Sequence, residues 1–558
     1  MKKVQSLVII VLISVSMPAF AAGPDWVSRF LDRYRPAANP LSTPQTPQTT
    51  PSLFRGGTLP VTLNDVIRLM LESNLNIGVD RLPPQISQFL IDTYLRPFDP
   101  TLHITASGTR GTTLSTSQLN GAQSLVQLTH SYDVGVGQTL QTGTSYGVDA
   151  IVNRTSSNNA FALYNPSWVG QLRYSVSQHL LRNWGRLPND HLIRIAQNNQ
   201  KISESQFEQQ MMDLVAQGQN AYWDYVFSFE DIKLKNRSLQ LAQKTLDENQ
   251  QRVDVGILAP IDLVQAESQV ATMQDALVVS TYASAQQEDQ LKKIITDRPD
   301  PGLVLAKLSP SESLRHPAPT DTVPVARAIQ IALENRPEMK QARLALNNAQ
   351  IDTDFTKNQL LPALDINASY TQNGLGGVER LKAALGANTI AGIIPGGLAD
   401  AFSQVFGFNY NTYSFGFSLQ IPLSNKSAKS DYDRAFSTKQ LSLAQLNAQA
   451  QQIALDVRNA MNQVEMNRAH IQSAQKAREL AEQTLDAEQK KFELGVSTLF
   501  FVLQQQTNLA AAETNEIQAL VNYAKALVAL DRATGQTLQH NNIEIDKANP
   551  RLAVNAAN

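Results

Sequence analysis

The chain has 558 residues, a charged fraction of 17%, a formal net charge of −2 and no cysteine. A near-neutral balance gives no electrostatic reason to bind nucleic acid. Without cysteine there are no disulfides, thiolate metal sites or cysteine nucleophiles, and no amino-terminal cysteine to carry a lipid.

Residues 1–22 have the layout of a secretory signal peptide. Lys2 and Lys3 precede an apolar run from Val4 to about Val15, and Ala19-Phe20-Ala21 offers small residues for cleavage. The run is short of the ~20 residues of a membrane-spanning helix, and no later apolar stretch is long enough either. An exported chain of this kind is soluble, peripheral or a β-barrel. Residues 23–58 include a Pro, Thr and Gln-rich stretch and are expected to form an extended linker.

Helical periodicity begins at Val61–Asn74, where Leu63, Val66, Ile67, Met70 and Leu71 fall on one face. The same pattern returns at Val325–Arg336, 262 residues later. At that offset Pro100 meets Pro362, Leu102 meets Leu364, and Ile104 meets Ile366. Alternating segments follow in both places. Leu102, Ile104 and Ala106 interleave with His103, Thr105 and Ser107, and Leu172, Tyr174 and Val176 interleave with Arg173, Ser175 and Ser177. Further on, Leu364, Ile366, Ala368 and Tyr370 alternate with polar residues, as do Tyr413, Phe415, Phe417, Leu419 and Ile421. A period of two means strands with one apolar and one polar face. Two confident strands per half are too few for a soluble sandwich, so a barrel shared between chains fits better, with its apolar face toward lipid. Trp168, Tyr174, Tyr413 and Phe415 suit an aromatic girdle. A further hairpin-like pair at residues 132–153 either extends the barrel or projects as an outer loop.

Very long helices come next. Asn189–Asp254 contains no proline and only Gly218, and Ser427–Leu494 contains neither proline nor glycine. At ~1.5 Å per residue each run spans about 100 Å. Leu239, Leu246 and Val253 recur at a coiled-coil interval. Each run ends in a glycine turn: "LDENQQRVDVGILAPIDLVQAESQVA" at 246–271 aligns without gaps on "LDAEQKKFELGVSTLFFVLQQQTNLA" at 485–510, pairing Gly256 with Gly495 across 239 residues. Two gapless alignments at two offsets indicate an internal duplication. The expected division is a first repeat at 59–300 (strands about 101–178), a linker at 301–320, a second repeat at 321–538 (strands about 363–421), and a tail at 539–558.

"LPALDINASY", "FELGVSTLFFVLQQQTNLAAAETN" and "YAKALVALDRATG" resemble the repeat signatures of TolC-type outer-membrane efflux proteins, and the resemblance runs from about Val61 to Leu538. It implies an α+β membrane protein: a homotrimer whose transmembrane β-barrel takes about four or more strands from each chain and continues into a long α-helical periplasmic barrel. By the same resemblance the turns at Val255, Gly256, Ile257 and Leu258, and at Leu494, Gly495, Val496, Ser497 and Thr498, contact a periplasmic adaptor. That adaptor joins an inner-membrane pump of the RND or ABC type. Relatives often narrow this tip with acids just after the second turn. Here Phe501 and Gln504 stand in those places, while Asp262 holds the equivalent position in the first repeat. Phe500 or Phe501, helped by Asp262, is therefore the candidate periplasmic gate, against the alternative that the phenylalanines pack between neighbouring helices.

No catalytic constellation emerges. The histidines, His103, His130, His179, His191, His316, His470 and His540, have no metal-binding spacing. No phosphate loop lies in a βαβ pattern, so no enzyme activity and no cofactor are expected. The resulting expectation is a passive outer-membrane exit duct, held by outer-membrane lipid, for small molecules such as drugs or toxic compounds. A type I protein-secretion duct is the alternative, and a coiled-coil surface protein or adhesin a remote one. Residues 378–408, unusually apolar for an external loop, could plug the barrel mouth or contact another surface component.

Overall fold

The structure is a computed structural model that describes residues 34, 58–116, 120–295, 306–318, 321, 323–383, 389–545 and 552–554. The expected signal peptide lies outside these residues, as does nearly all of the expected linker at 23–58.

Strand β1 (Thr58–Val61) leads into helices α1 (Leu63–Ser73), α2 (Leu75–Asp80) and α3 (Leu82–Leu95). Four strands follow: β2 (Thr101–Leu114), β3 (Ser124–Thr139), β4 (Thr144–Ser157) and β5 (Tyr164–His179). The first long hairpin is α4 (Arg186–Asp254) and α5 (Pro260–Ile295). Then come β6 (Lys307–Pro310), α6 (Val325–Asn335), α7 (Pro337–Gln359), β7 (Ala363–Lys382), β8 (Ile390–Ile394), α8 (Leu398–Phe406) and β9 (Tyr410–Gln420). The second long hairpin is α9 (Lys426–Glu493) and α10 (Leu499–Thr534). A short helix α11 (Thr537–His540) and the pair β10 (Ile543–Ile545) and β11 (Leu552–Val554) complete the described elements.

The main sheet runs β2-β3-β4-β5-β7-β9, every neighbour antiparallel, with β8 pairing only the far end of β7. The hairpin left undecided from sequence thus lies inside the sheet as β3 and β4, so six strands rather than four form the continuous run. Register keeps the alternation in phase. Leu102 faces Val136, Tyr146 faces Val176, Tyr174 faces Tyr370 and Tyr413 faces Tyr370. All of these share one exposed, apolar face. His103, Asp133, Asp149, Arg173, Thr371 and Ser414 occupy the other. Links at one end of the sheet are tight: residues 140–143 join β3 to β4, with the Gly143 amide donating to Leu140 O at 2.9 Å. Links at the opposite end are longer, the asymmetry seen between the periplasmic and external loops of membrane barrels.

Helix α8 lies on the apolar side of this sheet. Gly170 and Gly374 are register partners on the same side as Tyr174 and Tyr370, and a Cβ added at Gly170 would touch Ala401 and Val405 of α8. Gln404 fastens the helix by bonding both the amide and the carbonyl of Leu375, at 3.0 and 2.8 Å.

Below the sheet, the helical body is built on narrow seams. Along α9 the buried residues Ile453, Val457, Ala460, Val464, Asn467, Ile471 and Ala474 are spaced alternately four and three apart, a heptad seam. They pack on Ala519, Tyr523, Ala526 and Leu530 of α10 and on Ala328 and Ala332 of α6. The small residues let helices approach closely. A second cluster is formed by Tyr222, Tyr225 and Val226 of α4 with Val61, Val66 and Leu308. Residues 301–320, expected to be a plain linker, contribute to it: β6 pairs in parallel with β1. Two buried tyrosines explain why, since Tyr222 Oη donates to Val61 O at 3.2 Å and Tyr225 Oη to Leu308 O at 2.5 Å. The expected tail likewise holds the end of α11 together with β10 and β11.

Arg336, at the break between α6 and α7, is 6% exposed. Its guanidinium binds Glu338 at 2.7 Å and Asp456 of α9 at 2.8 Å. Burial would raise the Glu338 carboxyl, but the Arg336 hydrogen bonds outweigh it and hold Glu338 below its ordinary range. Removing one partner of a buried pair leaves an uncompensated charge. Arg336→Ala is therefore expected to cost about 3 kcal/mol, the low end of the usual range because Asp456 is a third exposed. Denaturant unfolding followed by circular dichroism checks it, and a loss under about 1 kcal/mol, the size of an exposed pair, would contradict the assignment.

Candidate functional site

Both long hairpins turn at the same end of the molecule. Helix α4 ends at Asp254, and Gly256 adopts φ +77°, with the amides of Ile257 and Leu258 donating to Arg252 O at 2.9 and 3.3 Å. Helix α9 ends at Glu493, and Gly495 adopts φ +75°, with the Val496 amide donating to Lys491 O at 3.0 Å. These are left-handed helix caps that satisfy terminal carbonyls. A Cβ at either glycine would meet nothing within 4 Å, so glycine is needed here for its positive φ and not for space.

The turns sit side by side because a small cluster binds the four helix ends. Leu499 and Leu503 of α10 pack with Ala266 of α5, supported by Leu246 of α4 and Phe492 of α9. The Arg252 guanidinium lies 5.1 Å from the centre of the Phe492 ring. Gln506 Nε2 donates to Thr245 Oγ1 at 2.9 Å, and Gln269 Nε2 to Thr507 Oγ1 at 3.1 Å. The Ser497 hydroxyl and, after it, Lys491 hydrogen-bond Glu488 and hold its carboxyl below the usual range. Around this cluster the surface is apolar: Val255, Ile257, Leu494 and Val496 are each 69–80% exposed.

The gate candidates lie in the first two turns of the returning helices. Asp262 is half-buried, with its amide bonded to Ala259 O at 3.0 Å. Gln504 is exposed and donates to Asn508. Phe500 and Phe501 are 56% and 51% exposed, edge to face, with ring centres 5.6 Å apart. Within one chain neither phenylalanine packs between helices; Leu499, Val502 and Leu503 do so instead.

At the far end of the molecule, the sheet's polar face carries charged groups that sequence spacing did not connect. His103, Asp133, Asp149 and Arg173 come from four successive strands and converge on one spot. Alternation places each of them on the polar side, but their proximity depends on strand register.

Among the described residues no helix is long and apolar enough to cross a membrane. The alternating sheet is a different way of presenting an apolar surface.

Comparison with known proteins agrees with this architecture. The family model described as outer membrane efflux protein matches residues 139–296 and 328–536. The outer membrane efflux protein BepC of Brucella suis is 24% identical over 348 residues, covering 61% of this chain and 68% of BepC. The outer membrane protein TolC of Vibrio cholerae is 19% identical over 352 residues, covering 63% and 74% of the two chains. In fold, the crystal structure of the Campylobacter jejuni CmeC outer membrane channel matches with a TM-score of 0.56 at 15% identity, covering 85% of this chain and 86% of CmeC. The chain belongs to the outer membrane efflux protein family, as an α+β outer-membrane protein with a large periplasmic helical part.

Proposed function

We propose that this protein is the passive outer-membrane exit duct of a tripartite export system, closed by three copies of the chain. The observation that carries the proposal is the pair of bare sheet edges. Strands β2 and β9 flank the six-strand run, and every residue of both is exposed. An open edge is not tolerated in hydrocarbon, because its amides and carbonyls find no water there. β9 of one copy is antiparallel to β2 of the next and completes the missing ladder. Three copies close a barrel of about 18 strands, wider than the 12-strand barrel the family resemblance implies, because β3 and β4 are added. The apolar face turns to lipid and the polar face to a wet lumen.

The two halves of each chain act as pseudo-repeats, each supplying one helical hairpin to the periplasmic tube. The apolar rim at Val255–Leu258 and Leu494–Thr498 docks the hairpin tips of a periplasmic adaptor, which links the duct to an inner-membrane RND or ABC pump. Small toxic molecules are the cargo. The duct supplies no energy, and its walls of Gln, Ser, Thr and Asn act as a solvated path. Phe500 and Phe501, exposed at the tip, narrow the entrance as a hydrophobic constriction that dewets when closed, with Asp262 beside it.

Two measurements test this reading. Electron microscopy of detergent-extracted protein is expected to show threefold particles with a barrel cap of about 18 strands and a tube of roughly 100 Å. A monomer, or a cap closed by four strands per chain, would refute the proposed closure. In planar bilayers the double variant Phe500→Ala with Phe501→Ala is expected to conduct severalfold more than the native channel; equal conductance would remove the phenylalanines from the gate.

A further inference from the structure

The polar face of the sheet holds an arrangement that export does not require. His103 on β2 is the register partner of Gly135 on β3, which is the partner of Asp149 on β4, which is the partner of Arg173 on β5. Asp133 stands two residues from Gly135 and so on the same side of β3. Gly135 is the floor on which the flanking side chains meet: a Cβ there would collide with Asp149 Oδ1 and lie 2.7 Å from His103 Nε2.

From this geometry we propose that His103, Asp133 and Asp149 bind a divalent transition-metal ion of the zinc class on the wall of the sheet's polar face. Three properties support it. His103 Nε2 is 3.5 Å from Asp149 Oδ1 and 3.7 Å from Asp133 Oδ2. Both distances are too long for good hydrogen bonds. They are close to the roughly 3.4 Å edge of a tetrahedron whose ligands lie ~2.1 Å from a zinc ion. The ligand atoms of all three residues lie within 4.8 Å of one another.

Charge points the same way. Asp149 is 9% exposed at its side chain and Asp133 28%, so two carboxylates are partly desolvated together, which is unfavourable without compensation. Arg173 offsets one of them, donating to Asp149 Oδ2 through Nε at 3.1 Å and Nη2 at 2.9 Å. It leaves Oδ1 free to face His103, as an outer-shell group orients a ligand. Asp133 Oδ1 is buried with no hydrogen-bond partner. With a neutral imidazole the cluster keeps one net negative charge.

Donor type selects the ion. One imidazole with two carboxylates suits zinc and its transition-metal neighbours, whereas calcium and magnesium favour oxygen-only sets. Three protein ligands leave a fourth position open to water or a passing solute, the pattern of an exchangeable site and not of a closed structural one. The position of this site in a channel lumen rests on the proposed function; the existence of the site does not.

The test is calorimetric titration of Zn2+ into the full-length, detergent-solubilised protein, purified without a polyhistidine tag and stripped with chelator. Micromolar binding at one ion per chain is expected, and equal Mg2+ should not compete. His103→Gln and Asp133→Asn should abolish it. Arg173→Gln should weaken it by about tenfold, as loss of an outer-shell partner does. Circular dichroism and particle images of each variant confirm that it has folded. No saturable Zn2+ binding below about 1 mM, or binding that survives His103→Gln in a folded protein, would overturn the site, since the imidazole is the donor that favours zinc over harder ions. Neither result bears on whether the chain forms a duct, which the particle symmetry decides separately.

Discussion

A backbone amide in hydrocarbon has no water to fall back on, and that one constraint shapes the upper half of this protein. Within the chain, the six strands share five boundaries, and all five are antiparallel ladders. Among the described residues of this six-strand run, the outer sides of β2 and β9 lack partners. Under the proposed closure, a second copy is part of each chain's hydrogen bonding and not an optional neighbour. The same logic reaches the helices. Helix α4 has 69 residues and α9 has 68, and in a protein most helical stability comes from packing and not from propensity. The buried seam of α9 is narrow and includes Ala460 and Ala474, whereas α4 buries a wider stripe with Met211, Met212, Tyr222 and Trp223. Such helices hold together by repetition of close contacts along their length, which suits a tube wall better than a globular core.

How much of this was legible in the sequence depended on the range of the signal. Local periodicity located the long helices to within a few residues and marked where strands occur, because a period of two and an absence of proline are properties of single segments. The strand ends were not set by it, since β3 begins at Ser124 and β7 runs on to Lys382. Gly256 and Gly495 were legible for the same reason: a cap is decided within a handful of residues, and their φ values of +77° and +75° are what such a turn requires. The β3–β4 hairpin could not be settled, because its alternation fits a barrel strand or a projecting ribbon equally well. Only pairing with β2 and β5 decides between them.

Long-range pairing hid the rest. β1 and β6 are four residues each and carry no pattern of their own. They become a sheet because Tyr222 and Tyr225, on one helix, each find a carbonyl on a different strand. At the gate, sequence comparison located Phe500 and Phe501 but could not tell whether they were buried. The chain buries Leu499 just before them and Val502 and Leu503 just after, and that rotation about the helix axis leaves the phenylalanines outward.

The sheet also shows how missing side chains create places for other groups to settle. Alternation alone would make both faces uniform, apolar outside and polar inside. Where a strand places glycine, its neighbours can lean in. On the polar face Gly135 lets a histidine and an aspartate from opposite strands approach each other above the backbone. On the apolar face Gly170, Gly374 and Gly376 form a shallow bed on two adjacent strands, and a Cβ at Gly374 would collide with the Ala401 carbonyl of α8. Ala401 and Val405 fill that bed, while Phe406 on the same helix remains exposed, as do Tyr413 and Phe415 on the sheet's apolar face. Helix α8 therefore continues the apolar surface it covers instead of interrupting it. Under the proposed closure an amphipathic helix in this position would lie flat at a lipid boundary, which gives the apolar character of α8 a physical reason.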